Sequence, residues 1–321
     1  MSSAESMGRH QRFAAAVRCL PVDRPPVTAW MHLGSEHLPP AYVAQLHEAY
    51  WRAYDWDALK VMADYRVEIP LSIESFDTPQ SLGCLQTAVQ TAHCFARQYE
   101  CVAHLMERVG QEVPVLDSGY DPYTLVLRHI GRDQVRGLGL NTEALQAVLD
   151  ALTQQICRHI ERLKALGVAG YFHATFGAIH PDQPHGVDQE TFERCIKPFD
   201  LRILQAAQGM VRVLHAHGSG LQLERLADYQ LEVLHIADRT PSNPTLAQLR
   251  ASAGAGKCLM GGVDERTFTS FSVGGLRAQM GDAVAQVGTQ GLILAPGCAV
   301  SPSSSGRLLK ALRAGVGGAS A

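Results

Sequence analysis

Short apolar runs of strand length recur along the chain, and longer segments with helical spacing separate them. We count eight such runs: Val27–Met31, Ala58–Met62, Val113–Leu116, Ala169–Phe172, Val211–Leu214, Glu232–Ile236, Cys258–Gly261 and Leu292–Ala295. Strands that alternate with helices indicate repeated βα units and a parallel sheet. Eight units predict a (β/α)8 TIM barrel, and 321 residues suit one such barrel. We therefore expect a single domain over residues 1–321, with residues 1–12 as an N-terminal extension and 315–321 as a flexible tail.

The intervening segments carry helix signals. Thr142–Leu166 has apolar residues at three- and four-residue steps and is followed by Gly167 as a stop signal. Another helix is predicted from Asp188 to about Gln208, and Pro198 should kink or divide it. The apolar stripe of Thr142–Leu166 is expected to belong to the core.

Composition narrows the class of partner. The net charge is −3, from 28 basic and 31 acidic residues, and there is no run of Lys or Arg, so a small molecule is expected rather than a nucleic acid. Eight cysteines without a C-x-x-C pair, and the lack of an apolar leader, predict a reduced, cytoplasmic protein. No apolar stretch approaches the ~18 residues that span a bilayer, so no membrane partner is expected.

The active site of a (β/α)8 barrel lies at the carboxyl ends of its strands. Polar and titratable residues lie at or just past the predicted strands: His32, Asp64, Asp117, His173, His215, His217, Asp238, Asp264 and Cys298. An aspartate at a strand-to-helix turn is equally well explained as a helix cap, which applies to Asp117 and Asp264. Histidines are poorer caps, so the histidines of this set indicate a functional pocket.

Two histidines and one cysteine of this set suit a metal ion. His215 and His217 are two residues apart at the end of a predicted strand, so their side chains share one face. Cys298 follows the last predicted strand, directly after Gly297. Two imidazoles and one thiolate favour zinc over magnesium or calcium and leave one coordination position open. The alternative is that His215 is a hydrogen-bonded core histidine and His217 a loop residue.

Several segments, in order along the chain, resemble one family. They are Pro21-Val-Asp-Arg-Pro-Pro26, Trp30-Met-His-Leu-Gly34 with Leu38-Pro39, Phe192 with Pro198-Phe199, Leu214-His-Ala-His-Gly218, Gly261-Gly-Val-Asp264 and Gly297-Cys298. With these landmarks the chain, from about Phe13 to Ala314, resembles the uroporphyrinogen decarboxylase superfamily. That superfamily has a barrel fold and includes zinc-dependent methyltransferases that act on corrinoid proteins and thiols.

Departures from the decarboxylase pattern bear on the chemistry. Where the haem-pathway decarboxylases present two arginines to an acidic porphyrinogen, this chain has His32 and Ser35. Met62-Ala63-Asp64 resembles the turn that carries the decarboxylases' catalytic aspartate. Their tyrosine, serine and histidine fall near Arg128, Ala174 and Cys298. The resemblance therefore implies Asp64 as the catalytic residue of a lyase and argues against a porphyrinogen substrate.

The methyltransferase branch matches better at the metal ligands. It binds zinc through H-x-C and a distant cysteine, which correspond here to His215, His217 and Cys298, with histidine in place of the middle cysteine. The resemblance implies zinc-dependent activation of a thiol or similar nucleophile for methyl or alkyl transfer, with a corrinoid protein as a candidate methyl donor. It also implies a homodimer in which the carboxyl ends of the strands face each other.

Three alternatives stay open from the sequence. A metal-independent lyase would use Asp64 to steady a protonated intermediate, and His32, Arg128 and His173 would bind a small acidic substrate. We expect these four residues and Asp238 to surround one cavity above the strands. A metal-dependent hydrolase ranks lower, because its H-x-H motif follows the first strand, whereas here the motif follows the fifth. A non-enzymatic ligand-binding barrel is the last alternative.

Overall fold

The computed structural model describes residues 6–68, 78–131 and 143–315. Thr142, where a helix was predicted to begin, lies outside these ranges, as do residues 1–5 and 316–321 of the predicted extension and tail. The described residues contain one parallel sheet of seven strands, each paired with the next in chain order. The strands are β1 Leu59–Lys60, β2 Val115–Tyr120, β3 Gly170–Thr175, β4 Val211–Ala216, β5 Val233–Ile236, β6 Cys258–Val263 and β7 Leu292–Pro296. Seven of the eight predicted strands are thus confirmed.

The eighth prediction, a strand at Val27–Met31, is wrong. This segment makes only an isolated parallel bridge between Val27 and Leu294 of β7. The Thr28 amide donates to the Leu294 carbonyl at 3.1 Å, and the Asp57 amide, just before β1, donates to the Val27 carbonyl at 2.9 Å. Prolines precede the bridge and offer no N–H group for a ladder, so the pairing stays short. The segment nevertheless lies between the last and first strands of the sheet.

Helices follow the strands in the predicted alternation. Those described are α1 Arg9–Val17, α2 Pro40–Tyr54, α3 Pro79–Gln90, α4 Cys94–Val109, α5 Pro122–Ile130, α6 Glu143–Ala165, α7 Gln189–Thr191, α8 Lys197–Ala206, α9 Leu246–Ala253, α10 Val273–Val287 and α11 Gly306–Ala314. Pro198 divides the predicted helix, as expected: a π-helical turn, Phe192–Ile196, separates α7 from α8. Among these helices, none combines the length and apolar character needed to cross a bilayer.

The two faces of the sheet pack differently. One face packs against the helices, and the apolar stripe of α6 is buried there, as predicted. The other, which we call the inner face, carries alternate residues of each strand, such as Phe172, Val213 and Ile293, in a second apolar cluster. Phe13 of α1 joins that cluster. The polar residues that continue the inner rows of side chains form the site described next.

Candidate metal and substrate site

The side chains on the inner face of the sheet change from apolar to polar towards the carboxyl ends of the strands. Ala58, Leu116, Val213 and Val233 belong to the inner apolar cluster. Two residues further along their strands are Lys60, Ser118, His215 and His235. Because side chains alternate along a strand, these polar groups share the inner face. Parallel pairing then brings them together at one end of the sheet.

His215, His217 and Cys298 converge there, as the sequence predicted. One ligand atom from each residue lies within 4.8 Å of the other two. The His217 amide donates to the Thr175 carbonyl at 3.0 Å, so strand-like pairing continues one residue past β4 and keeps His217 on the face of His215. Cys298 follows Gly297, where a Cβ atom would lie 2.5 Å from the Ala237 Cα. Only glycine allows that close approach.

Both histidines are held neutral. His215 is 4% exposed, and its pKa lies well below the ordinary value because of burial and the neighbouring His235 and His217. The backbone of His235 acts to raise the pKa of His215, but burial outweighs it. Neither ring nitrogen of His215 has a hydrogen-bond partner of normal geometry among the described residues. Burial lowers the pKa of His217 to about 4. Its ring stacks on Phe176 with 4.6 Å between centroids. Neutral imidazoles present the lone pairs that a metal needs.

Cys298 completes a donor set that fits zinc. Burial raises the pKa of its thiol, although the Ala299 backbone and the charge of Lys60 act in the opposite direction. A metal therefore has to displace the thiol proton on binding. The observation that supports the fit is that both ring nitrogens of His215 lack a partner among the residues described, because a buried polar atom without a partner is costly unless something binds it.

His215, His217 and Cys298 line two cavities, and a third cavity adjoins one of these two. The Lys60 cavity is lined by Trp30, His32, Lys60, Met62, Ala63, Ser118, Gly119, Tyr120, Phe172, Ala174, His215, His217, Cys298 and Ala299. The Glu265 cavity shares the His215, His217 and Cys298 wall and adds Thr240, Ser242 and Glu265, among others. The Arg128 cavity adjoins the first through Ser118 and Tyr120 and is largely apolar. A ligand at the three donors can therefore be approached from two sides.

His32 and Asp64 form a pair at the edge of the Lys60 cavity. His32 Nδ1 lies 2.7 Å from Asp64 Oδ1. Burial alone would raise the pKa of Asp64, but the hydrogen bond and charge of His32 outweigh it, so the pKa is lowered. The second oxygen, Oδ2, is buried without a partner among the described residues. Asp64 is thus an ionised carboxylate with one unused acceptor beside the cavity.

The structure does not bring the other predicted substrate residues into one cavity. Arg128 lines the Arg128 cavity, where its guanidinium lies 4.5 Å from the Tyr120 ring centroid. His173 is fully buried, and its Nε2 lies 2.7 Å from Asp200 Oδ1 of α8. Asp238 accepts a 2.7 Å hydrogen bond from the Gly262 amide.

The expectation of one shared cavity was wrong for His173 because β3 extends to Thr175. His173 therefore lies within the strand, between Phe172 and Ala174 of the inner face, and points to the helices. Asp117 likewise lies on the helix-facing side of β2, where its Oδ2 is 2.8 Å from His159 Nε2.

Comparison with known proteins identifies the family. The family model described as Uroporphyrinogen decarboxylase (URO-D) matches residues 9–316. The chain belongs to the uroporphyrinogen decarboxylase family. No curated protein matches this family member significantly.

Solved structures resemble this family member over most of its length. A methyltransferase from Methanosarcina mazei superposes with a TM-score of 0.76 at 18% identity, covering 97% of this chain and 98% of the other. A B12-independent methionine synthase from Shewanella sp. W3-18-1, in complex with selenomethionine, superposes with a TM-score of 0.54 at 12% identity. The match covers 91% of this chain and 92% of the other. Identities this low establish a shared fold.

Sequence reasoning missed three polar residues of this uroporphyrinogen decarboxylase family member. Lys60 and His235 lie inside predicted strands. The sequence feature that could have identified them is a titratable residue within an otherwise apolar run. The pKa of Lys60 is lowered to about 8 by burial, and that of His235 to about 3. Glu265 lines the cavity beside Cys298; burial raises its pKa, and its Oε2 has no partner among the described residues.

Proposed function

We propose that this protein is a zinc-dependent enzyme that activates a thiol or similar nucleophile for methyl or alkyl transfer. The observation that carries the proposal is the convergence of His215, His217 and Cys298 within 4.8 Å, with no partner of normal geometry for either nitrogen of His215 among the described residues. Two neutral imidazoles and one thiolate would hold zinc and leave one coordination position for a substrate. Zinc bound there would lower the pKa of a thiol substrate, so that more of the thiol is ionised at neutral pH.

The chain's own residues bind and orient the reactants in this proposal. Phe176 stacks on His217 and fixes its ring plane. Trp30 and Phe172 pack edge to face with 5.3 Å between centroids and give the Lys60 cavity an apolar wall that excludes water. Glu265 lines the Glu265 cavity, from which it can take or return the proton of an incoming thiol.

The comparisons support this proposal at the level of the fold. A methyltransferase and a methionine synthase share the architecture. We further propose a single closed (β/α)8 barrel, with the Val27 segment completing the ring between β7 and β1. A corrinoid protein as methyl donor and a homodimer, both implied by the family resemblance, belong to the same proposal, as does the cytoplasmic location that the cysteine pattern predicts.

A methyl-transfer assay tests the function. Zinc-loaded protein is mixed with methylcobalamin and a panel of small thiols, and the loss of methylcobalamin is followed by absorbance while the thioether is identified by mass spectrometry. The methyl group moves from cobalt to sulfur, and the thiol proton is released. We expect turnover that His217→Ala loses together with zinc. Equal rates in the wild type and His217→Ala would overturn the proposal.

A metal-independent lyase is the second candidate, favoured by one observation. Asp64 keeps a lowered pKa and a buried, unpartnered Oδ2 at the edge of a cavity with apolar walls. A carboxylate in such surroundings stabilises a developing positive charge. This candidate requires activity in metal-free protein, which the first candidate excludes.

A further inference from the structure

Lys60 places a charged group deep in the cavity that adjoins the metal ligands. The residue is 7% exposed, and its side chain leaves the inner face of β1. Its Nζ lies 4.6 Å from the Phe172 ring centroid and 5.1 Å from that of Trp30. The two rings hold the ammonium in place and keep water from most of its surface.

The hydrogen bonding of Lys60 is incomplete. Its Nζ donates to the Met62 thioether at 3.2 Å and to the Ser118 hydroxyl at 3.3 Å. An ammonium group has three donors, and a thioether is a weak acceptor. In the part of the chain that the structure describes, no ion pair joins Lys60 to a carboxylate. A buried charge without a carboxylate partner is costly to the fold and is typical of a site where a ligand supplies that partner.

The surroundings of Lys60 fit the carboxylate of a small molecule. The Lys60 cavity brings Lys60 together with His32, His215, His217 and Cys298, with Trp30 and Phe172 as apolar walls. One end of a ligand there meets the ammonium, and the rest lies along the rings towards the three metal donors. The Ser118 hydroxyl donates its proton to the Val61 carbonyl at 2.6 Å and therefore cannot donate it to a ligand. The ammonium is thus the anion-binding group at this end of the cavity.

We propose that Lys60 forms a buried anion-binding subsite that selects ligands carrying a carboxylate. The inference does not depend on the metal, so it holds for either candidate function. A charge-assisted hydrogen bond in an apolar pocket favours a carboxylate over the matching amide by about tenfold or more in affinity.

Calorimetric titration of metal-free protein with propionate and propionamide tests the subsite. Lys60→Met keeps the length of the side chain and removes its charge, and replacing a buried charge with an apolar group of similar size is often neutral for stability. Lys310→Met makes the same change at an exposed position of α11 and serves as the matched control. Circular dichroism and the zinc content of each variant report on the fold and on the metal site.

We expect the wild type and Lys310→Met to bind propionate about tenfold or more tightly than propionamide, and Lys60→Met to lose that preference. If Lys60→Met does not fold, Lys60→Gln takes its place, and the wild-type preference is measured in either case. No preference in the wild type, or an unchanged preference in a folded Lys60 variant, would overturn the subsite. If the wild type does not bind zinc, that result counts against the proposed function and leaves the anion-binding subsite untouched. Failure of the subsite and failure of the proposed function are therefore distinguishable.

Discussion

His215 and His235 are paired in register on β4 and β5, and their rings lie 4.5 Å apart. His235 Nε2 donates to the Pro296 carbonyl at 3.0 Å, whereas neither ring nitrogen of His215 has a partner of normal geometry among the described residues. The bond fixes His235 against the end of β7, beside the Gly297 turn that leads to Cys298. His235 is therefore a positioning residue, whereas His215 is free to bind a metal.

The first prediction follows from that difference. His215→Gln should lose the metal, because it removes one of three converging ligands. His235→Gln should keep about one zinc per chain with at most a 10–100-fold weaker affinity, the usual range for a supporting residue. Zinc content by elemental analysis and competition with a chromophoric chelator measure both effects. Equal loss in the two variants would contradict the assignment of ligands.

The second prediction concerns pH. The pKa of Cys298 is raised above its ordinary value, so the thiol is protonated at pH 7; the pKa of His217, at about 4, leaves that ring neutral. Zinc should therefore release one proton, from Cys298, and the Kd should fall about tenfold for each pH unit gained between pH 6 and 8. Calorimetry in buffers of different ionisation enthalpy counts the proton. Release of none would show that Cys298 is not a ligand.

The shared face of His215 and His217 could be predicted from the sequence, because residues two apart in an extended segment point to the same side. The position of His173 was predicted wrongly, since the predicted strand ended at Phe172, whereas β3 runs to Thr175 and places His173 within the strand, on the face opposite to Phe172 and Ala174. Lys60 was missed because a single lysine in an apolar run does not reveal which face it occupies. A bridge formed at Val27 in place of a strand because the prolines before it offer no N–H group for a ladder.

The third prediction separates the two candidate reactions. Asp64→Asn keeps the shape of the side chain but removes the charge that pairs with His32 at 2.7 Å. If the protein is a lyase, turnover should be abolished while folding, followed by circular dichroism, is unchanged. If it transfers methyl groups through zinc, the zinc content should be unaffected and activity should persist. Full lyase activity in Asp64→Asn would remove this residue from that mechanism.

The fourth prediction concerns stability. The fully buried carboxylate of Asp57 accepts hydrogen bonds from Arg12, Arg24 and the Val27 amide at 2.6 to 2.9 Å. Asp57→Ala removes the carboxylate that pairs with Arg24 and leaves the buried Arg12 with the carboxylate of Asp23 alone, so it should lower the free energy of unfolding by about 3–5 kcal/mol. Urea denaturation measures the loss.

The control for Asp57 is its neighbour Asp55, which forms exposed ion pairs with Arg9 and Arg313. Asp55→Asn should cost less than about 1 kcal/mol, since exposed pairs contribute little. Asparagine also tolerates the left-handed backbone at this position, where φ is 60°. Equal losses in the two variants would contradict the role of Asp57 in tying the N-terminal segment to the sheet.

Zinc stoichiometry in the wild type and in Cys298→Ala tests the central claim most directly. Both proteins are purified, loaded with zinc, freed of excess metal and measured by elemental analysis, with circular dichroism as the control for folding. The convergence of His215, His217 and Cys298 predicts about one zinc per wild-type chain and little in Cys298→Ala. No zinc in the loaded wild type, or full retention of zinc by Cys298→Ala, would contradict it.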